Sequence, residues 1–278
     1  MVNYHALTST LNLSGTRVVV LGGTSGIGAG IAVRFAALGS SVLVMGRNES
    51  AGNDVVRAMQ SAAGDNTTAK LNYGRADLGS VAGIKGAVND IAAWARSEGI
   101  LSHFLVPYLL LSRPEPVLRQ GAQICHIGRP GEIGRTLDMD DIMGLKSIEE
   151  GSLSLIATAF RWVFAMDLFT EEFNRRFPGT RTMHAYPGNV ATNNMTHASL
   201  PWIVRCIGTI VRWFGRTTAD YADIAVWQTA SDEWKTKGWA FFDQYARKVK
   251  LDERVLVDDK LRADVWNKML DLAGEKKV

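Results

Sequence analysis

The stretch that most restricts this chain is residues 17–28, "RVVVLGGTSGIG". Arg17 to Gly22 is a β-branched apolar run without polar alternation, the pattern of a parallel strand buried on both faces. It runs into a glycine-rich turn, and Gly26 to Leu38 then reads as the helix that follows. A strand that feeds a helix this way needs glycine where the chain turns sharply, where backbone approaches a phosphate, and where helix packs on strand. N–H groups at the helix start then face an anion. Gly22, Thr24, Ser25, Gly26, Ile27 and Gly28 therefore read as a cradle for a dinucleotide pyrophosphate. A merely structural turn is the alternative, and the flanking buried strand and helix argue against it.

Strand and helix patterns continue to alternate. Ser41–Gly46 predicts a second strand, Ser50–Ala63 its helix, "AKLNYGRADL" a third strand ending near Asp77, and Val81–Arg96 a third helix. "AQICHIG" is a further strand across Cys125, Ser152–Phe177 a long helix, and "TRTMHAYPG" another strand ending at Pro187. This order implies an α/β fold of the Rossmann type, a doubly wound parallel sheet. With 278 residues, 46% of them hydrophobic, the chain has material for one large core, and no repeat or linker divides it. The expectation is a single domain over 1–278, with 196–278 forming a helical region over the substrate pocket.

The net charge is +3 with lysine and arginine scattered, so the footprint of a nucleic-acid binder is missing and a small-molecule partner is expected. Cys125 and Cys206 lie far apart without neighbours at metal-ligand spacing, so neither a disulfide framework nor a metal site is expected. The first residues contain no apolar signal core, which fits a cytoplasmic protein. "LPWIVRCIGTIVRWF", 200–214, is interrupted by Arg205 and Arg212 and is shorter than the ~20 residues a span needs, so it reads as a lid or core helix, or an interfacial one, with no transmembrane segment.

The end of the second strand should lie beside the adenosine ribose, where an acid would bind the 2′-hydroxyl of NAD. Here Arg47 and Asn48 follow it instead. A guanidinium at that point favours NADP(H), or Arg47 is a solvated surface charge. Asp77, with Leu78 beside it, sits near the adenine, caps the following helix, or does both.

With "GGTSGIG" at 22–28, "GRN" at 46–48, "DL" at 77–78 and "YPGNVATN" at 186–193, the chain resembles the short-chain dehydrogenase/reductase family across most of residues 14–195. The resemblance implies that Pro187, Gly188, Val190 and Thr192 meet the nicotinamide amide and phosphate. It also implies a tyrosine and, four residues on, a lysine in the long helix, but Ala159 and Val163 stand there. The family's serine falls on Gly128 or Arg129, and its catalytic asparagine has no counterpart. "LSHFLV", 101–106, is the only run that can supply the family's fourth strand, with Pro107 opening a shortened helix. A segment missing between Gly99 and Phe104 is the alternative. That helix is half of the family's usual dimer interface, so a monomer or weak dimer is expected. "LDMDDI", "HAYPGNVAT" and "VWNKML" resemble a fungal branch of natural-product pathways, some of whose members reduce imines or assist cyclisation without net redox.

Two residues are candidates for chemistry. Arg129, just past the Cys125 strand, orients a carbonyl or iminium substrate, or is a solvent-facing loop arginine. Asp167, in the apolar "FAMDLF", stabilises a cationic intermediate, or pairs with an arginine such as Arg161, or faces solvent. His126 reads as a hydrogen-bonded core histidine, and Tyr186 as a packing residue or a proton donor. Six of eight tryptophans follow residue 200, which suggests a bulky hydrophobic substrate or aromatic core packing. Two functions remain: an NADP(H)-dependent reductase of secondary metabolism acting on an activated C=N or C=O, and a cofactor-binding pseudoenzyme or non-redox cyclisation or assembly partner.

Overall fold

The structure, a computed structural model, describes residues 2–64, 68–98, 120–142, 144–151, 155–192, 215–231 and 238–273, with positions 109, 111, 112, 118, 206, 209 and 213 besides. The expected strand at 101–106, the shortened helix after Pro107 and most of the stretch 200–214 lie outside the described residues. The chain forms two compact units, Met1–Ile124 with Gly188–Thr236, and Cys125–Pro187 with Lys237–Val278.

The first unit opens with helix α1 (Tyr4–Ser9), followed by β1 (Arg17–Leu21), α2 (Gly26–Ala37), β2 (Ser41–Gly46), α3 (Glu49–Ala63), β3 (Leu71–Arg75) and α4 (Val81–Glu98). The strands pair in parallel in the order β1-β2-β3, with Val19 beside Leu43 and Val44 beside Tyr73. All six residues of β2 are buried, as a strand flanked by neighbours and covered on both faces requires. Helix α2 packs against α3 and against a helix formed later in the chain (Thr218–Ala230), on which α1 also rests. Asp223 of that later helix ties the three together: it accepts from Thr8 at 2.7 Å and meets Arg34 at 2.6 Å and His5 at 2.9 Å.

The second unit is built on β4 (Gln123–Ile127), whose first two residues fall in the first unit. Helices α5 (Leu145–Glu149) and α6 (Leu155–Arg176) follow, then β5 (Arg181–Ala185). After the intervening α7 (Thr218–Ala230) of the first unit come β6 (Phe241–Phe242), α8 (Glu253–Val257) and α9 (Asp259–Ala273). The strand order is β4-β5-β6, with β5 and β6 parallel. One face of α6 supplies Phe164, Ala165 and Leu168 to a core shared with Ile142, Phe241, Val255 and Val265. Farther along α6, Phe169 stacks on Trp266 at 4.8 Å between ring centroids, and Phe173 packs beside both. Trp227 lies edge-on to Tyr4 at 5.4 Å. These two tryptophans are therefore core packing, whereas Trp213 is exposed.

Candidate functional site

The glycine turn has the geometry a pyrophosphate cradle needs. Gly22 and Gly26 have φ of 70° and 54°, the left-handed region that side chains other than glycine rarely adopt. A Cβ at Gly28 would lie 2.5 Å from the Gly22 carbonyl oxygen, so the third glycine lets the start of α2 close onto the turn. The N–H groups of Gly22 and Gly23 donate to Met45, at 2.9 and 3.1 Å, and so fasten the turn to β2. Ser25 precedes α2 without a side-chain cap bond, which leaves the first N–H groups of a 12-residue helix, those of Gly26, Ile27 and Gly28, facing outward from its end. Backbone donors and the positive end of the helix dipole are what a diphosphate asks for.

Of the other expected cofactor residues of the first unit, Thr192 lies beside this turn. The Thr24 side chain occupies the space beside Gly46 at the end of β2, and the Thr192 methyl lies 3.3 Å from where a Cβ on Gly26 would stand. Val190 is buried and bridged to Arg216, and Gly188 takes φ of 74° between Pro187 and Asn189. A groove of about 700 Å³ borders the turn, lined by Thr24, Ser25 and Gly26 together with Ala51, Asp54 and Ala222. Beyond β2, Arg47 is exposed and forms no ion pair among the described residues. Asn48 caps α3 by accepting from the Ala51 N–H at 3.0 Å. Asp77 is exposed and accepts from Gly79 at 3.1 Å, with Leu78 half-buried beside it. The cap of α4 is Ser80, which accepts from Gly83 at 3.1 Å, so the helix-capping role expected of Asp77 passes to its neighbour.

The second unit holds the residues singled out for chemistry. Asp167 does not meet Arg161 or solvent. It is fully buried on α6, with Oδ1 2.8 Å from His184 Nδ1 and Oδ2 accepting from the Gly131 N–H at 2.8 Å. Burial pushes its carboxyl above the usual carboxylate range, the bonds from His184 and Gly131 pull it back, and the charge of Glu132 adds to the rise. Both oxygens of Asp167 are thus engaged within the protein. Arg129 is more than half exposed, 3.9 Å from Glu132 and 5.8 Å from the centre of the Phe160 ring. Glu132 is drawn also to Arg135, at 3.2 Å. His126 is buried on β4, as expected, and Tyr186 is half-buried, its N–H donating to Phe242 at 2.9 Å. Ala159 is exposed and Val163 half-buried on α6, so these positions of the long helix present no proton carrier. Sequence reading missed His184, which lies 17 residues from its partner, because no spacing rule joins a helix residue to the strand after it.

Residues 16–97, from β1 to α4, match the short chain dehydrogenase family. Over that segment the chain resembles the short-chain dehydrogenase/reductase family. It is similar to the polyprenol dehydrogenase of Mus musculus, 26% identical over 94% of this chain and 84% of that protein. Among solved structures of the family's fold, it resembles the angucycline C-6 ketoreductase LanV with bound NADP, at a TM-score of 0.60 and 16% identity, over 84% of this chain and 95% of the other. A short chain dehydrogenase from Burkholderia cenocepacia in complex with NADP gives a TM-score of 0.58 at 15% identity, over 87% of this chain and 98% of the other. At these identities the structural likeness establishes the doubly wound α/β fold. Among the described residues no helix is long and apolar enough to cross a membrane, and no cluster of His, Cys, Asp and Glu could hold a metal ion.

Proposed function

We propose that the protein is an NADP(H)-dependent reductase of secondary metabolism, acting on an activated C=O or C=N of a hydrophobic small molecule. The observation that carries this reading is the side-chain-free turn of Gly22, Gly26 and Gly28 at the head of α2, with a basic Arg47 in place of an acid after β2. Gly26, Ile27 and Gly28 hold the pyrophosphate through backbone N–H groups, and Thr24 and Ser25 line its approach. Arg47 binds the 2′-phosphate, Asn48 shapes that corner as the cap of α3, and Asp77 and Leu78 border the adenine. Pro187, Gly188, Val190 and Thr192 receive the nicotinamide end. The bound dinucleotide supplies a hydride. Arg129, exposed at the end of β4, orients the substrate electrostatically.

By their names the mouse relative is a dehydrogenase of a polyprenol, an alcohol, and LanV is a ketoreductase, which supports a carbonyl chemistry here. A second reading is favoured by Ala159 and Val163: the chain binds the dinucleotide and serves as a cyclisation or assembly partner without redox turnover. Incubation with NADPH and a panel of hydrophobic ketones and cyclic iminium compounds separates the two. The reductase consumes one NADPH per product, and the alternative binds NADPH without consuming it. We further propose a cytoplasmic, monomeric or weakly dimeric protein of the fungal branch. Sedimentation equilibrium that returns a tight dimer contradicts the oligomeric part.

A further inference from the structure

We infer that Tyr73 is a positioning residue for cofactor choice: through Gly46 it fixes the backbone that carries Arg47, and so aims the guanidinium at a 2′-phosphate. The inference rests on the role proposed above for Arg47, and every residue it uses belongs to the first unit. Arg47 is exposed and forms no ion pair among the described residues, so the backbone on either side is what directs it.

That backbone is held at both flanks. On the far side Asn48 opens α3, its side chain accepting from the Ala51 N–H and its carbonyl from the Gly52 N–H, each at 3.0 Å. On the near side the Gly46 carbonyl, whose carbon is bonded to the Arg47 nitrogen, accepts two hydrogen bonds. The Ala76 N–H donates to it at 3.0 Å and the Tyr73 hydroxyl at 2.9 Å. Two donors thus fix the peptide plane between Gly46 and Arg47, and that plane sets where the Arg47 side chain leaves the backbone. Thr24 of the glycine turn fills the space beside Gly46, where a Cβ would stand 2.7 Å from its methyl carbon and 2.8 Å from its hydroxyl oxygen.

The phenol reaches Gly46 along a path kept clear for it. Tyr73 stands opposite Val44 in the register of β3 on β2, two residues short of Gly46. Its ring lies against α3 at Gly52, where a Cβ would overlap it. A phenylalanine would fill that slot equally well, so packing does not require the hydroxyl. Hydrogen-bond satisfaction does not require it either, because Ala76 already gives the Gly46 carbonyl a donor. What the hydroxyl adds is a second restraint on a peptide that one donor leaves free to tilt. A tilt there misdirects Arg47, and a guanidinium fork meets a phosphate well only when its direction is set. A dinucleotide with a bare 2′-hydroxyl gains nothing from that aim.

Tyr73→Phe tests this, since it keeps the ring in its slot and leaves the Gly46 carbonyl paired with Ala76, so the variant should fold and melt near the wild type. The probes are adenosine 2′,5′-bisphosphate and adenosine 5′-monophosphate, titrated by calorimetry. They differ by the 2′-phosphate and carry no nicotinamide, so the reading stays within the first unit. Tyr73→Phe should weaken the bisphosphate about 3–10-fold, the worth of one net hydrogen bond, and leave the monophosphate unchanged within about two-fold. In an Arg47→Ala background the same change should cost the bisphosphate nothing more, because Tyr73 acts through Arg47. A purely structural tyrosine gives equal losses for the two probes, or the same loss with and without Arg47, and either result overturns the inference. Wild-type bisphosphate affinity in Tyr73→Phe, with Arg47→Ala weakened, also overturns it and leaves the role of Arg47 standing. A wild type that binds both probes equally overturns the role of Arg47 itself, and this inference with it.

Discussion

The carboxyl ends of β1 and β5 are made by opposite means. After β1 the chain clears space: Gly22 and Gly26 take left-handed backbone, Gly28 closes on the Gly22 carbonyl, and Ser25 leaves the first N–H groups of α2 uncapped. At β5 the structure fills space, burying an imidazole and a carboxylate against each other beneath Gly128. The first device works through backbone and tolerates no added atoms. The second works through two side chains from separate elements and depends on charge. A turn open to a phosphate can be assembled from local chain geometry alone, whereas a buried His–Asp pair needs tertiary placement.

Substitutions should expose this difference in graded fashion. The largest effect is expected at Gly28. In Gly28→Val, Cβ meets the Gly22 carbonyl oxygen at 2.5 Å, backbone that cannot swing aside, so NADPH binding by calorimetry should fall by at least about 100-fold, the loss of two or more charge-assisted hydrogen bonds. Wild-type affinity in a normally folded variant would break the cradle half of the comparison. Gly128→Ala comes next. Its methyl presses on the far end of the His184 side chain, so the ring can turn, at a cost of about 1–3 kcal/mol and of the Asp167 bond. Denaturant unfolding should record the loss, while NADPH affinity stays as in the wild type.

Acid should act on the second unit through a third residue. Asp252 caps α8 by accepting from Arg254 N–H at 3.0 Å, and the Arg254 guanidinium holds its carboxyl well below the usual carboxylate range. A depressed carboxylate contributes stability that is present above its unfolded value of about 3.9 and is lost as pH falls through that value toward the folded one. Asp252→Asn keeps the capping oxygen but loses the charge paired with the Arg254 guanidinium, so it should cost about 1–2 kcal/mol at neutral pH, and the gap from wild type should narrow progressively as pH falls below about 4. Melting curves across pH 2–7 check this, about the Asp252 range. The smallest effect is one of rate. Cys125 is half-buried and desolvation pushes its thiol up to about 12, whereas Cys206 is exposed, so a thiol reagent at neutral pH should label Cys206 well before Cys125, as read by mass spectrometry.

The same contrast explains what could be read in the sequence. β1 and β2 follow from unbroken apolar runs and the helices α2, α3 and α6 from helical spacing, and their boundaries fall within a few residues of those expected. The glycine turn was legible because every part of it lies within seven consecutive residues. Arg47 and Asn48 were legible as the end of a strand, but the capping bond that engages Asn48 was not. Asp167 could be picked out as a charge in an apolar helix, yet its partner could not. The choice between Arg161, solvent and His184 is made by how α6 lies on β5, a matter of tertiary packing. The short helices α1, α5 and α8 also escaped, since pieces of five or six residues owe their form to caps and to the surfaces they rest on.

The central claim is that this chain holds a 2′-phosphorylated dinucleotide in a glycine cradle bordered by Arg47. Calorimetric titration of the wild type and Arg47→Ala with NADPH and with NADH tests it directly. The account predicts that the wild type binds NADPH at least several-fold more tightly than NADH, and that Arg47→Ala abolishes this preference by weakening NADPH alone. Equal affinities in the wild type, or a preference that survives the loss of Arg47, would contradict it.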